Sequence, residues 1–269
     1  MIDEDLNIIG IVQARMGSTR LPNKVLMQVK GKPLLQHMVE RLATSKYLSK
    51  TVIATTTEPG DDVIEFFATQ NGYPVFRGSE SDVLDRFYQT ATYYKSDIIV
   101  RFCSDCPLID PSLVDKIIEI FLQHQERIAL VGNKMPFTFP DGYDVEVCSI
   151  RTLERIWKEA NQKTDREHVF TYLYRNPELF PILNVEYEGG DLFHTHRFTL
   201  DYEEDFDCIR KVIENLCDHN PAFGLSEVIK LAKADPSILE INSMHLPGEA
   251  VRFAIDAGHS PKDNRIKIK

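Results

Sequence analysis

Hydrophobic and polar positions follow two alternating periods through the first half of the chain. Short β-branched runs give way to stretches in which apolar residues recur every three or four positions, and this predicts a mostly parallel sheet covered on both faces by helices. Residues 8–12 read as the first, fully buried strand, followed by a helix opened by Gly31-Lys32-Pro33, with Leu34, Leu35, Met38 and Leu42 on one face. Residues 51–55, 73–76, 97–102 and 128–131 read as further strands. Between them the spacing predicts three helices: over 61–71, with Val63, Ile64 and Phe67 inward and Gly72 just past its end; over 81–94; and from Pro111 onward.

The rhythm loosens after about Gly132. Residues 135–142 are rich in Pro, Phe and Gly, whereas 143–147 alternate as a strand, which puts Asp144 and Glu146 on one side. Helices are expected over 150–160, over 165–175 with Thr164 as cap, over 203–216 and over 226–234, and strands over 182–187 and 196–200. The chain thus divides into one domain over 1–241, irregular between 132 and 187, and a tail over 242–269 laid on the domain or on a partner subunit.

Composition narrows the partners. A formal charge of -10 argues against nucleic acid or an anionic membrane, because such binding is driven by phosphate neutralisation. Five cysteines, an odd number without framework spacing, fit reduced thiols in a cytoplasm. The acidic start MIDEDLN lacks the basic opening of a signal peptide, and no apolar run is long enough to span a bilayer, so a cytoplasmic, soluble protein is expected.

Against that acidic background one segment stands out. Gln13-Ala14-Arg15-Met16-Gly17-Ser18-Thr19-Arg20-Leu21-Pro22-Asn23-Lys24 places the cations Arg15, Arg20 and Lys24 and two hydroxyls directly after the first strand. Ligands of open α/β sheets collect at the carboxyl ends of strands, so the loop reads as a triphosphate-binding element. A triphosphate also calls for a divalent metal and carboxylates to hold it. Asp105 lies just beyond the strand over 97–102, in Cys103-Ser104-Asp105-Cys106-Pro107, and Asp201 lies beyond that over 196–200. Each has a second reading, Asp201 as a helix N-cap and Asp105 as an Asx-turn. Arg77 and Arg86, on the turn and helix after the strand over 73–76, are within sequence reach of the same edge, although Arg86 also suits a surface pair with Asp82. Cys103 and Cys106 form a lone C-x-x-C pair, which lacks the further ligands of a closed zinc site.

The loop from Gln13 to Lys24 resembles the Q-A-R-x-x-S-T-R-L-P-x-K signature of the cytidylyltransferases that make CMP-octulosonate and CMP-acylneuraminate. Gly31-Lys32-Pro33-Leu34-Leu35-Gln36-His37, Ser104-Asp105-Cys106-Pro107-Leu108-Ile109 and Leu200-Asp201-Tyr202-Glu203-Glu204-Asp205 are similar to that family's subsequent elements. Thr55-Thr56-Thr57, Gly142-Tyr143-Asp144-Val145-Glu146-Val147 and Arg166-Glu167-His168-Val169 extend the likeness toward its spore-coat polysaccharide biosynthesis branch.

The resemblance implies a Rossmann-like mononucleotide-binding three-layer fold and an enzyme that transfers CMP from CTP to a sugar acid or related acceptor, releasing pyrophosphate, for surface polysaccharide. It implies that Arg15 and Lys24 hold the triphosphate, with Gln13, Ala14, Gly17, Ser18, Arg20, Arg77, Arg86 and Cys103 around the nucleotide. Asp105 and Asp201 would hold Mg²⁺, and Asp144, Glu146, Glu167 and His168 would face the acceptor. A homodimer is implied as well, with 132–187 as the contact. Two positions depart from the octulosonate enzymes: Cys103 stands where they carry Gln, and Arg101 where they carry Asn. A thiol lacks the paired contacts by which Gln reads a base edge, so the preference for CTP follows from the resemblance alone. Other readings remain open: a sugar 1-phosphate nucleotidyltransferase using another nucleotide, a non-catalytic nucleotide-binding subunit, or glycosyl transfer on the same layered fold.

Overall fold

The computed structural model describes residues 6–247 and 265–268. The chain runs β1 (Ile8–Gln13), a small hairpin of β2 (Gln28–Val29) and β3 (Lys32–Pro33), α1 (Leu34–Leu42), β4 (Lys50–Thr56), α2 (Asp62–Gln70), β5 (Val75–Gly78), α3 (Val83–Tyr93), β6 (Ile98–Cys103), α4 (Pro111–His124) and β7 (Leu130–Gly132). It continues with β8 (Glu146–Ser149), α5 (Ile150–Glu159), the short helices α6 (Lys163–Glu167) and α7 (Thr171–Arg175), β9 (Ile182–Tyr187), α8 (Glu203–Leu216), α9 (Leu225–Ala234), α10 (Ser237–Glu240) and β10 (Arg265–Ile268).

Eight strands form one sheet in the order β10-β9-β7-β8-β6-β1-β4-β5. Among the described strands of this sheet, β8 alone runs antiparallel to its neighbours. Helices cover both faces. Along β1, Ile8 and Val12 join one buried cluster with residues of α1, α4 and α8, while Ile9 and Ile11 join a second with residues of α3 and α5. Burial on both sides is why β1 is apolar without a break. The expected α/β class and parallel sheet are therefore present.

The strand order places the site. From β1 the chain moves outward to β4 and β5, then returns to β6 on the other flank of β1, so β1 and β6 bound a topological switch point. Gln13 and Cys103, the last residues of the two strands, are register partners. The two chemistry-bearing loops consequently leave the sheet side by side.

Four expectations need correction. Residues 196–200 are not a strand: Arg197 makes only an isolated bridge with Asp141, flanked by Asp141 N–H to His196 O at 3.0 Å and Phe198 N–H to Asp141 O at 2.7 Å. Gly142 permits that approach, since it has φ +105° and a Cβ there would lie 2.6 Å from the Phe198 carbonyl carbon. The strand expected over 143–147 begins only at Glu146, because Tyr143 O and Val145 N–H are bonded instead to the Asn133 side chain at 2.8 and 2.9 Å. The single helix expected over 165–175 is α6 and α7, broken at His168, with Gln162 rather than Thr164 as the N-cap. In α2 Ile64 and Ala68 are buried and Phe67 packs partly buried against the core, but Val63 is 43% exposed.

At the far end, β10 pairs in parallel with β9, so the end of the expected tail completes a sheet edge; residues 248–264 lie outside the described ones. No described helix is long and apolar enough to cross a membrane. Of the exposed large apolar side chains described, only Leu179 falls within the stretch expected to form a dimer contact.

Candidate active site

The loop after β1 is fixed at several backbone points. Ala14 N–H bonds Ala54 O at 3.1 Å, Ser104 N–H bonds Gln13 O at 3.1 Å, and Ser18 N–H turns back to Met16 O at 2.8 Å. Met16 N–H donates to the Asp61 carboxylate at 2.6 Å, whose other oxygen takes the Thr56 hydroxyl. Asp61 is buried, so the foot of α2 pins the middle of the cationic loop to the end of β4. Asn23 adopts φ 61°, a left-handed turn that aims the next residue, Lys24, back over the sheet edge.

Lys24 is the hub of the charged centre. Its Nζ donates to Leu200 O at 2.6 Å and to Asp201 Oδ1 at 2.9 Å, and lies 3.7 Å from Asp105 Oδ2. The two carboxylates come from segments about a hundred positions apart, and backbone contacts join them: Leu200 N–H donates to Asp105 O at 2.8 Å. Arg20 adds an ion pair to Asp201 at 2.9 Å and lies over the Tyr202 ring. Burial works against the charge on Asp201, but Lys24, Arg20 and Arg197 outweigh it and hold the carboxyl below its ordinary range. The α8 N-cap is Tyr202, so the plain capping reading of Asp201 does not hold.

Further support comes from residues that the sequence did not single out. Arg197 bonds both oxygens of the fully buried Asp205 at 2.9 Å and Asp141 at 2.7 Å, and stands 3.5 Å from Asp201. Asp205 in turn accepts the N–H of Asp201 at 2.9 Å and of Tyr202 at 3.1 Å. Burial first, then Asp144, pushes Asp141 up to about 7. The sequence signal available for Asp205 was its third position in α8, where its side chain returns to the cap.

A cleft of about 780 Å³ opens over this centre. Gln13, Ala14, Arg15, Gly17, Ser18, Arg20 and Lys24 line it from the first loop, and Cys103, Asp105 and Asp201 from the acidic side. Glu167 and His168 close it together with Lys163, which sequence reasoning missed. Arg86 also lines it, but as a buried residue behind the wall rather than a surface partner of Asp82: it donates to Ser79 O at 2.6 Å, and its Nε lacks a partner among the described residues. Burial and the nearby Arg15 push it down to about 10, which leaves it cationic at neutral pH. A second cavity of about 890 Å³, lined by Asp110, Lys116, Tyr187 and Gly224, contains none of the loop cations or the paired acids.

Three site expectations change. Arg77 is outside the cleft lining; its guanidinium is bound to Asp62, Glu65 and the carbonyls of Thr56 and Glu58, because it points to α2 rather than over the sheet edge. Glu167 ends α6 and His168 is its C-cap, so both lie at a helix end rather than early in the single helix expected over 165–175. Asp144 and Glu146 do share a side, both facing Lys134, but Glu146 is buried and engaged on one oxygen by Arg101 and on the other by Tyr174. All five cysteines are free, and burial pushes the Cys103 thiol up to about 11 and the Cys106 thiol up as well, so neither is a reactive thiolate at neutral pH.

A cation-rich loop and paired acids at a switch point suit an anionic ligand but do not name a family. A sequence profile described as Cytidylyltransferase matches residues 9–233. The chain belongs to the cytidylyltransferase family. An uncharacterized protein of Methanocaldococcus jannaschii is 37% identical over 240 residues, covering 88% of this chain and 95% of that one. The spore coat polysaccharide biosynthesis protein SpsF of Bacillus subtilis is 33% identical over 235 residues, covering 86% and 95%. A solved cytidylyltransferase from Leptospira borgpetersenii serovar Hardjo-bovis superimposes with a TM-score of 0.82 at 35% identity, over 87% of this chain and 97% of that one. The chain is thus an enzyme of the nucleotidyltransferase kind.

Asp61 is the test of the loop's anchoring. Asp61→Ala leaves Met16 N–H and the Thr56 hydroxyl without their acceptor, so unfolding free energy should fall by about 2 kcal/mol in denaturant melts. Nucleotide affinity should weaken more than the rate constant at saturation. An unchanged nucleotide KM would show that the loop keeps its shape without this anchor.

Proposed function

We propose that the protein transfers CMP from CTP to a hydroxyl of a sugar acid or related acceptor, with release of pyrophosphate, in the assembly of a surface polysaccharide. The observation that carries this reading is the convergence of Lys24, Asp105 and Asp201 at the mouth of the β1–β6 switch point. Arg15, half-exposed beside Glu80, and Arg20, half-exposed beside Asp201, are free to turn from these acids onto phosphate oxygens.

Asp105 and Asp201 meet at one ammonium in the cleft, and a pair of carboxylates with phosphate oxygens is a donor set that suits Mg²⁺. Among the described residues no group of three or more His, Cys, Asp or Glu side chains is arranged to hold a metal. Asp105 and Asp201 would therefore supply the protein's share of the ligands, leaving the remainder to phosphate oxygens and water. Bound there, the ion would neutralise charge on the triphosphate. Lys24 would move from the carboxylates to the non-bridging oxygens and stabilise the charge that builds as an acceptor oxygen attacks the α-phosphorus in line with departing pyrophosphate. The chain's own groups position and neutralise; none forms a covalent intermediate.

Pyrophosphate release with CTP, UTP, GTP and ATP in turn, over a panel of sugar acids and with or without Mg²⁺, tests the reading. CTP should be preferred and the metal required. Release with another nucleotide and a sugar 1-phosphate would replace it by the other nucleotidyl transfer. Nucleotide binding without turnover on any acceptor would favour a regulatory subunit.

A further inference from the structure

Two segments that the charged centre leaves unused meet behind the cleft: the turn Ser79-Glu80-Ser81-Asp82 before α3, and Arg166-Glu167-His168 at the end of α6. Lys163, Glu167 and His168 line the cleft from α6. Glu80 and Ser81 line it beside the cationic loop, with Glu80 paired to Arg15 at 3.5 Å. Arg166 and Asp82 point to each other instead. Arg166 Nε stands 3.0 Å from Asp82 Oδ1 and Nη2 2.7 Å from Oδ2, a fork of two parallel hydrogen bonds to one carboxylate. Nη1 donates to Trp157 O at 2.7 Å, so one guanidinium joins α6 to both α3 and α5.

The two ends of this contact differ in how firmly they are held. Asp82 caps α3 by accepting Asp85 N–H at 2.9 Å, and its own N–H donates to Ser79 Oγ at 3.0 Å. Arg86 donates to Ser79 O at 2.6 Å, which closes the turn against α3. α6 has less to hold it. It has five residues, whereas isolated helices shorter than roughly 12–15 residues are marginal in water, and Gln162 gives it no side-chain cap. Asp165 pairs with Arg175 of α7, within the same stretch of chain. Arg166 is what crosses to α3, and its side chain and that of Asp82 are only 20% and 31% exposed, so the pair is screened less than a surface one.

We propose that Arg166 and Asp82 are positioning residues for the transfer: their pair sets Lys163, Glu167 and His168 at the distance from the cationic loop that a nucleotide and its acceptor span together. The inference rests on the acceptor reading above for what these three groups meet. The turn that carries the partner of Arg15 is also the turn that anchors α6, so the two sides of the cleft share one support. Lys24 and Arg20 are held by other contacts, at Leu200 and Asp201. Loosening the pair therefore weakens acceptor binding far more than nucleotide binding.

Two conservative variants test it. Asp82→Asn keeps an oxygen that can cap α3, and Arg166→Lys keeps the charge without the fork. Each should speed amide exchange over 163–168 by about tenfold, the scale of a hydrogen bond to a charged group, and leave 225–234 unchanged. The dissociation constant of CTP with Mg²⁺, measured without acceptor, should stay within about twofold, as for a site that shares no partner with the pair. Pyrophosphate release is then followed with 3-deoxy-octulosonate or, if that is not turned over, the sugar acid of the panel above that is. Acceptor KM should rise about tenfold in either variant and no further in the double variant, with kcat changed less than KM. A pair that serves stability alone would lower kcat through the folded fraction and leave both KM values in place. That pattern, equal rises in the two KM values, additive losses in the double variant, or unchanged exchange over 163–168 overturns the proposal. If no sugar acid yields pyrophosphate, the function proposed above fails instead, and exchange over 163–168 decides by itself whether the pair holds α6.

Discussion

Lys24→Met is expected to lower pyrophosphate release from CTP by about a hundredfold or more, the scale on which a single charge-stabilising group contributes in a transition state. The side chain is only 12% exposed, and methionine preserves most of its apolar stem, so the change removes the ammonium more than the packing. That loss acts in two ways. The phosphate oxygens lose their best-placed cation, and Asp105 and Asp201 face each other without the charge that joins them. The second effect by itself would alter stability and metal affinity, whereas the first lowers the rate at saturating CTP and Mg²⁺. Single-turnover rates under saturation, with thermal midpoints measured alongside, separate the two. A near-normal saturated rate would remove Lys24 from the chemistry.

Asp105→Asn should reduce turnover on the same scale while moving the Mg²⁺ dependence to higher concentration, because an amide keeps the shape and loses the charge that holds a hard cation. Asp201→Asn should do likewise, with one difference. Asp201 is held by Lys24, Arg20 and Arg197, so its replacement also releases three cations from a shared partner. Its stability effect should therefore exceed that of Asp105→Asn in a denaturant melt. Rates traced against Mg²⁺ concentration are the measurement. Near-normal rates with unshifted metal dependence in both variants would sink the two-carboxylate site, whatever happens to stability.

The legible and the illegible parts of this site differ in how locally they are determined. The loop from Gln13 to Lys24 was legible because its cations sit within one short segment after a strand whose burial is written into Ile8, Ile9, Ile11 and Val12. Asp105 was legible for the same reason at the end of β6. Asp201 was found through a strand that is not there: the extended segment before it is fixed by Asp141, Gly142 and the Asp105 carbonyl, none of which is a sequence neighbour. Arg77 and Arg86 had equal sequence claims, yet the first turned to α2 and the second passed behind the cleft wall. Side-chain direction at a strand end depends on which carboxylates lie nearest, and Asp62 and Glu65 belong to a different element.

By itself the sequence determined the layered α/β class, since fully apolar strands can be buried only under helices on both faces, and it determined the cluster of cations in the first loop. The tertiary structure decided what that loop meets. It placed β6 beside β1, brought the Asp201 segment onto the Asp105 backbone, and set Lys24 between two carboxylates far apart in the chain. It also balanced Arg101 and Lys134 against Glu146 and Asp144 beside the cleft. The physical reason is the range of the forces. Hydrophobic period and loop chemistry act over a few residues and can be read along the chain, whereas charge pairing and desolvation depend on distances that only the assembled sheet defines.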